Sequence, residues 1–289
     1  MKASLKMSAL LGGAVAAAVM LAGCGGSTQA TSGSPGTTPK VKTLSDGVLN
    51  VGTDLTYPPY DMLVDGKPAG FDIEFMDAMS KELGLTPKYQ DTRFAQIVAG
   101  IKANRYDVIA STLYVSAGRA KEVDFVPYFQ TGNSVISPAS VDGPATAQDL
   151  CGKRVSVVTA TVIAKLLPAG ESDKCKAAGK DAITVNEFPT DPEATQALLS
   201  GQVDVQMTDA AVGKTVVEKS NGRLKISSNS LIYPIAVGLA VNKANAEMKQ
   251  GLETGIEAMK KSGKYDELLK KYNLEPADPA VVDASMKQG

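Results

Sequence analysis

The sequence predicts an α/β fold, and three observations carry that prediction. From about Leu44 to Leu274, short apolar strands alternate with amphipathic helical stretches, the pattern of parallel strands covered by helices. Roughly 230 residues take part, enough for one large domain or for two lobes. Finally, Asn104-Arg105-Tyr106-Asp107-Val108 and Gly201-Gln202-Val203-Asp204-Val205 share one design, a helix end, a turn and an Asp ahead of a buried strand, which favours two lobes.

The chain opens with Lys2 and Lys6, followed by Met7–Ala22 without a charge and then Leu21-Ala22-Gly23-Cys24. A positive start, an apolar stretch too short for a spanning helix and a small-residue cut describe a secretory signal peptide over residues 1–23. Residues 25–39 are Gly, Ser, Thr or Pro apart from Gln29 and Ala30. Such a composition cannot bury a core, and residues 24–43 read as a flexible tether spanning roughly 25 Å. Val48–Thr53 is the first strand. Asp72–Leu83 is a helix, because Phe75, Met76, Met79 and Leu83 fall at helical spacing and Gly84 stops it. Phe94–Asn104 is a second helix, and Asp107–Ala110 and Gly132–Ser137 are strands. The alternation then repeats through Arg154–Val158, Ala182–Glu187, Pro192–Leu199, Val203–Met207, Asp209–Ser220 and Ile235–Val241. Two helical stretches, Ala246–Lys261 and Lys264–Lys271, close the folded part, and residues 276–289 are a tail.

Removal of residues 1–23 takes two lysines and leaves 28 basic against 31 acidic residues, a net charge of −3. This balance offers no footprint for nucleic acid. There is no histidine, which excludes serine–histidine triads, cysteine–histidine pairs and the usual histidine-containing zinc sites, and no metal or cofactor is expected. The residues ending in Cys24 resemble the bacterial lipobox, which implies cleavage before Cys24 and acyl chains that anchor the protein to the membrane. Cys151 and Cys175 are then left as an even pair in an exported chain and read as a disulfide.

Val51-Gly52-Thr53-Asp54 with Tyr57-Pro58-Pro59-Tyr60, and then Gly70-Phe71-Asp72-Ile73-Glu74-Phe75, resemble the opening and signature helix of a known family. It is the polar amino-acid family (family 3) of bacterial extracellular solute-binding proteins, although Ser80 stands where its signature prefers a small apolar residue. Arg105-Tyr106-Asp107-Val108-Ile109, Arg119-Ala120-Lys121-Glu122-Val123-Asp124-Phe125, Asp149-Leu150-Cys151-Gly152-Lys153, Gly201-Gln202-Val203-Asp204, Thr208-Asp209 and Gly263-Lys264-Tyr265 follow in family order. The resemblance implies a two-lobed periplasmic-binding-protein-like fold (type II), with a ligand cleft between lobes joined by two crossing segments. Lobe 1 is expected at 44–130 plus 242–275 and lobe 2 at 134–237, with crossings near Gln130–Asn133 and Gly238–Val241. The implied function is the monomeric receptor of an ABC importer. It would capture an amino acid or similar zwitterion by cleft closure and deliver it to a permease, without chemistry.

A zwitterion needs a fixed cation and a fixed anion. Arg119 is the cation, because a guanidinium fork matches a carboxylate and the residue matches the family's carboxylate-clamping arginine. Asp209 is the anion; it suits the N-cap of its helix and matches the position that binds the ligand ammonium from the second lobe. Thr161 and Val162 match a helix start that donates to the carboxylate. The family's usual Gly-Thr-Thr reads Ala160-Thr161-Val162 here, which keeps backbone donors and loses a hydroxyl. Ser111 and Thr112 fit the family's polar run after the second strand, Tyr57 and Phe94 its aromatic positions, and Asp54 a strand end that ligand side chains reach. Tyr114 departs from the pattern, standing where a small hydroxyl residue usually helps to bind the ammonium. Its ring, with Tyr57 and Phe94, offers a partial cage for a bulky or alkylated ammonium; the alternative is that it packs against the hinge. Asp72 and Glu74 read as charges complementing a helix N-terminus.

Two other functions use such lobes. A ligand-sensing receptor would carry a further membrane segment or cytoplasmic domain, and none follows here. A cyclohexadienyl dehydratase-like enzyme would need an acid poised at a leaving group, and none stands out. The importer receptor is the expected reading.

Overall fold

The computed structural model describes residues 41–288; the expected signal peptide, Cys24 and the expected tether up to residue 40 lie outside them. The first elements are β1 (Val48–Thr53), β2 (Met62–Val64), β3 (Lys67–Ala69), α1 (Phe71–Glu82), β4 (Thr86–Asp91), α2 (Phe94–Lys102), β5 (Val108–Ile109), α3 (Ala117–Ala120) and β6 (Val123–Pro138). There follow β7 (Arg154–Val158), α4 (Val162–Leu166), α5 (Ser172–Ala177), β8 (Thr184–Phe188), α6 (Asp191–Leu199), β9 (Val205–Asp209) and α7 (Ala210–Lys219). The last are β10 (Leu224–Ile226), β11 (Ile232–Asn242), α8 (Ala246–Ser262), α9 (Lys264–Tyr272) and α10 (Pro279–Ser285).

Nine of the strands form one sheet in the order β4-β1-β5-β11-β6-β9-β7-β8, with β10 beside β6, and β2 and β3 pair as a separate antiparallel ribbon. Two parallel groups, β4-β1-β5 and β9-β7-β8, confirm the strand–helix alternation. They are joined by antiparallel pairs that the alternation does not reveal: β5 with β11, β11 with β6 and β6 with β9. The expected strand Gly132–Ser137 is the end of a 16-residue strand whose first part pairs with β11 and whose last part pairs with β9. β6 and β11 therefore belong to both halves of the sheet. Gly238–Val241, expected as the second crossing, pairs with Asp124–Pro127 beside β5, and the β11–β6 register shifts at two places, between Ile232 and Ile235 and between Val237 and Gly238.

Each half has its own core. In the first, Phe75, Met76 and Met79 of α1 pack with Met248, Leu252, Ile256 and Met259 of α8 over β1. Gly70 begins α1 at φ 119, and a Cβ there would lie 2.2 Å from the Tyr60 carbonyl oxygen. In the second half, Val155, Val157, Val205 and Met207 pack with Ile163, Leu167 and Cys175. Cys175 is bonded to Cys151, with 5.5 Å between Cα atoms.

The repeated Asp motif has a shared physical role. The Asp107 N–H donates to Asn50 O at 2.8 Å, and the Asp107 carboxylate accepts from Asn50 N–H at 2.8 Å. In the second half Asp204 N–H donates to Arg154 O at 2.9 Å, and its carboxylate accepts from Arg154 N–H at 2.8 Å. Each Asp thus fixes the entry of a central strand against its parallel neighbour.

Residues 276–288 are more than a tail. Ser285 of α10 is buried, and its Oγ accepts from the Ala236 N–H of β11 at 3.0 Å. The Asp278 N–H donates to Gln130 Oε1 at 3.0 Å, and the Ala117 N–H to Gln288 O at 2.9 Å. No helix of the described residues is long and apolar enough to cross a membrane.

Candidate functional site

The strand ends and helix starts of the two halves surround a cleft of about 580 Å³, counted with its open mouth. From the first half come Asp54 and Tyr57 after β1, Phe94 at the start of α2, Ser111, Thr112 and Tyr114 after β5, and Arg119 of α3. The second half contributes Thr161 and Val162 at the start of α4, with Thr190 and Asp191 at the start of α6 and Met207 and Thr208 of β9. Nine of the ten residues nominated from sequence thus line one cavity.

Arg119 is held by its own short helix, whose cap Ser116 accepts from the Arg119 N–H at 3.3 Å. Its guanidinium donates to Tyr114 O at 2.8 Å and to Ala160 O at 3.0 Å, touching both halves. Three of its five N–H groups remain without a hydrogen bond among the described residues. Burial lowers its pKa to about 10, which leaves it charged at neutral pH. The guanidinium carbon also sits 5.3 Å from the Phe94 ring centroid, so Arg119 covers one face of the ring proposed for a cage.

Thr161 caps α4, accepting from the Ala164 N–H at 3.2 Å. The preceding Ala160 has φ 64, the left-handed region where the family's glycine is at ease. Thr112 is also left-handed, at φ 45, and both its N–H and its hydroxyl donate to Asp72 Oδ2, at 2.7 and 3.0 Å. Ser111 donates to Asp61 Oδ2 at 3.3 Å and accepts from the Asp54 N–H at 2.9 Å. Asp61 and Asp72 are both fully buried, burial and then the neighbouring Asp72 charge favour the neutral form of Asp61, and through its bonds to Thr112 Asp72 supports this cleft loop from within. The expected helix-end charge is instead Glu74, paired with Lys271 at 2.6 Å.

Asp54 carries a partner on each oxygen. Oδ1 meets Arg93 at 2.7 Å and the Thr56 hydroxyl at 2.7 Å, and Oδ2 accepts from the Phe94 N–H at 2.7 Å. Tyr57 reaches across, its hydroxyl 3.2 Å from that of Thr208.

Asp209 is the residue that the structure sets apart. It caps α7, accepting from the Ala211 N–H at 2.9 Å, but it is 0% exposed and lies behind the cleft wall. The Tyr60 and Tyr114 hydroxyls each donate to it at 2.8 Å, and Thr131 donates at 2.9 Å. Burial pushes both tyrosine pKa values well up, which keeps them as donors. Tyr114 therefore turns its hydroxyl onto Asp209 rather than presenting an open aromatic face.

Asp191 was not legible as a site residue. Thr190-Asp191-Pro192 reads as a helix start, and Thr190 does form a capping box with Glu193. Only the approach of β9 and the first half makes this helix start a cleft wall.

Residues 49–275 match the bacterial extracellular solute-binding proteins, family 3. The L-cystine-binding protein TcyJ of Escherichia coli K12 is 29% identical over 229 residues, 78% of this chain and 82% of that protein. An arginine-binding protein, ArgT of Corynebacterium glutamicum, is 24% identical over 241 residues, 82% of this chain and 78% of its own. Among solved structures, an ancestral arginine-binding protein bound to arginine superposes with a TM-score of 0.71 at 32% identity, covering 78% of this chain and 98% of that one. The chain belongs to family 3 of the bacterial extracellular solute-binding proteins.

Proposed function

We propose that this protein is the receptor of an ABC importer, capturing an amino acid in the cleft as the two halves close and releasing it unchanged to a permease. The observation that carries the reading is Arg119, a charged guanidinium on the cleft wall with N–H groups to spare for a carboxylate. Relatives that bind L-cystine and arginine support the amino-acid class. In this reading the lobes are residues 44–130 with 242–275 and residues 134–237, with crossings near 130–133 and 238–241; the β11–β6 register shift between Val237 and Gly238 supports the second crossing. The protein acts as a monomer anchored by acyl chains on Cys24.

The test is a thermal-shift screen of the proteinogenic amino acids. A ligand at about 100 times its Kd adds about 2.7 kcal/mol, a rise of roughly 5–10 °C for a chain of this size. Arg119→Ala should abolish the rise for every amino acid that gives one. If no amino acid shifts the wild type, or if Arg119→Ala responds equally, the reading fails. Anchoring is checked separately: Cys24→Ala should move the protein from the membrane pellet to the soluble fraction, and its retention there would refute the anchor.

A further inference from the structure

This inference rests on the amino-acid reading above. We propose that the ligand's α-ammonium is received by Asp191, and that Asp209 is an internal tie between the halves that no ligand touches.

A carboxylate offers about four lone-pair positions. On Asp209 all are taken: Tyr60 and Ala211 on Oδ1, Tyr114 and Thr131 on Oδ2, each between 2.8 and 2.9 Å. Tyr60 and Tyr114 come from the first half and Asp209 from the second, so the same bonds that occupy the carboxylate hold the halves together. An ammonium at Asp209 would have to displace a buried tyrosine hydroxyl and leave it without a partner, at a cost that one new bond does not recover.

Two other carboxylates face the cleft, Asp54 and Asp191. Asp54 is neutralised by Arg93 and has both oxygens bonded. Asp191 differs. Its Oδ1 accepts from Thr208 at 2.7 Å and from Gln206 at 2.9 Å, whereas Oδ2 makes no hydrogen bond among the described residues. Thr195 lies near, but its hydroxyl proton goes to Gln206 Oε1 at 2.9 Å. Asp191 is 3% exposed, and the groups acting most strongly on it include the Asp209 carboxylate and no cation. Burial accordingly raises its pKa to about 6. It is a desolvated, half-satisfied carboxylate on the wall of a cavity whose other wall carries Arg119. An ammonium there completes its hydrogen bonding and relieves its repulsion with Asp209. Arg119 and Asp191 belong to different halves, so one zwitterion gripping both favours the closed form.

The experiment is calorimetry at pH 7.5 with L-arginine, L-cystine and the other proteinogenic amino acids as probes. Asp191→Asn keeps Oδ1 for Thr208 and Gln206 and replaces the free oxygen with an uncharged amide. It should weaken the best-binding probe about 30-fold, the loss expected for a hydrogen bond to a charged group. The deaminated analogue of that probe should bind the wild type about 30-fold more weakly, with no further loss in Asp191→Asn. Asp209→Asn should lower the melting temperature and leave affinity within about threefold. If that variant does not fold, the cycle between Asp191→Asn and the deaminated probe still decides. Affinity unchanged in Asp191→Asn, or additive losses in the cycle, overturns the assignment while the amino-acid reading stands. A wild type that binds none of the probes overturns both.

Discussion

Ala160 stands at φ 64, where a Cβ crowds the carbonyl and L residues lose about 1–2 kcal/mol relative to glycine. Its carbonyl also accepts from Arg119, so the strained residue helps to aim the cleft cation. Ala160→Gly keeps that carbonyl and removes the strain. It should raise the melting temperature of the ligand-free protein by about 2–4 °C. A fall in differential scanning calorimetry would mean that the left-handed turn is not under strain in solution. Residue by residue, most of the cleft lining was legible through the resemblance to the family, since an Arg, Thr or aromatic residue at a helix start or strand end reads by its own chemistry equally as surface or core. Asp209 and Asp191 were not told apart, because both read as helix starts and the difference lies in which hydroxyls reach them from elsewhere in the fold.

At the scale of elements, α10 is the clearest instance of structure that periodicity does not announce. It spans seven residues and has one buried position, Ser285, too little for a helical stripe to show. Its contribution is a hydroxyl that satisfies the Ala236 N–H within the strand shared by the two halves. Ser285→Ala leaves that buried N–H without a partner. The expected cost is about 1–3 kcal/mol, or roughly 2–10 °C in melting temperature. Thermal unfolding unchanged from wild type would show that α10 is not docked in this way. The disulfide works at the same scale: a loop of sequence separation 24 loses enough chain entropy for about 3.5 kcal/mol of stabilisation.

For the whole molecule, the buried Asp61–Asp72 pair links binding-loop geometry to pH. Burial raises Asp61 well above its ordinary range and brings Asp72 to about 6, each carboxyl also feeling the other. Unfolded carboxyls titrate near 3.9, so the folded protein holds protons that the unfolded chain has lost. That stabilisation is complete below about pH 4 and is lost as pH rises through about 6 and beyond. Asp61→Asn mimics the protonated partner, keeping the Oδ1 acceptor for Thr53 and offering an amide to Asp72. Relative to wild type its melting temperature should gain with pH, by about 3 °C or more between pH 4.5 and 8. Parallel curves would remove the pair from the linkage. Asp54, Asp191 and Asp209 are raised in the same sense, which is why the difference between the two proteins is the quantity to read.

By itself the sequence determined the class of fold, many of its strands and helices in their order and the cysteine pair, and through the family resemblance most of the residues that line the cleft. These are local properties: apolar period sets each element, caps set its ends, and the chemistry of a strand-end residue does not depend on its distant neighbours. Tertiary structure alone decided that β6 and β11 run through both halves, that 276–288 docks against these two strands, and which carboxylate keeps an oxygen without a hydrogen bond among the described residues. All three depend on partners far away in the chain. Tyr60 and Tyr114 reach Asp209 across sequence separations of 149 and 95 residues, and no pattern local to Asp209 records their arrival.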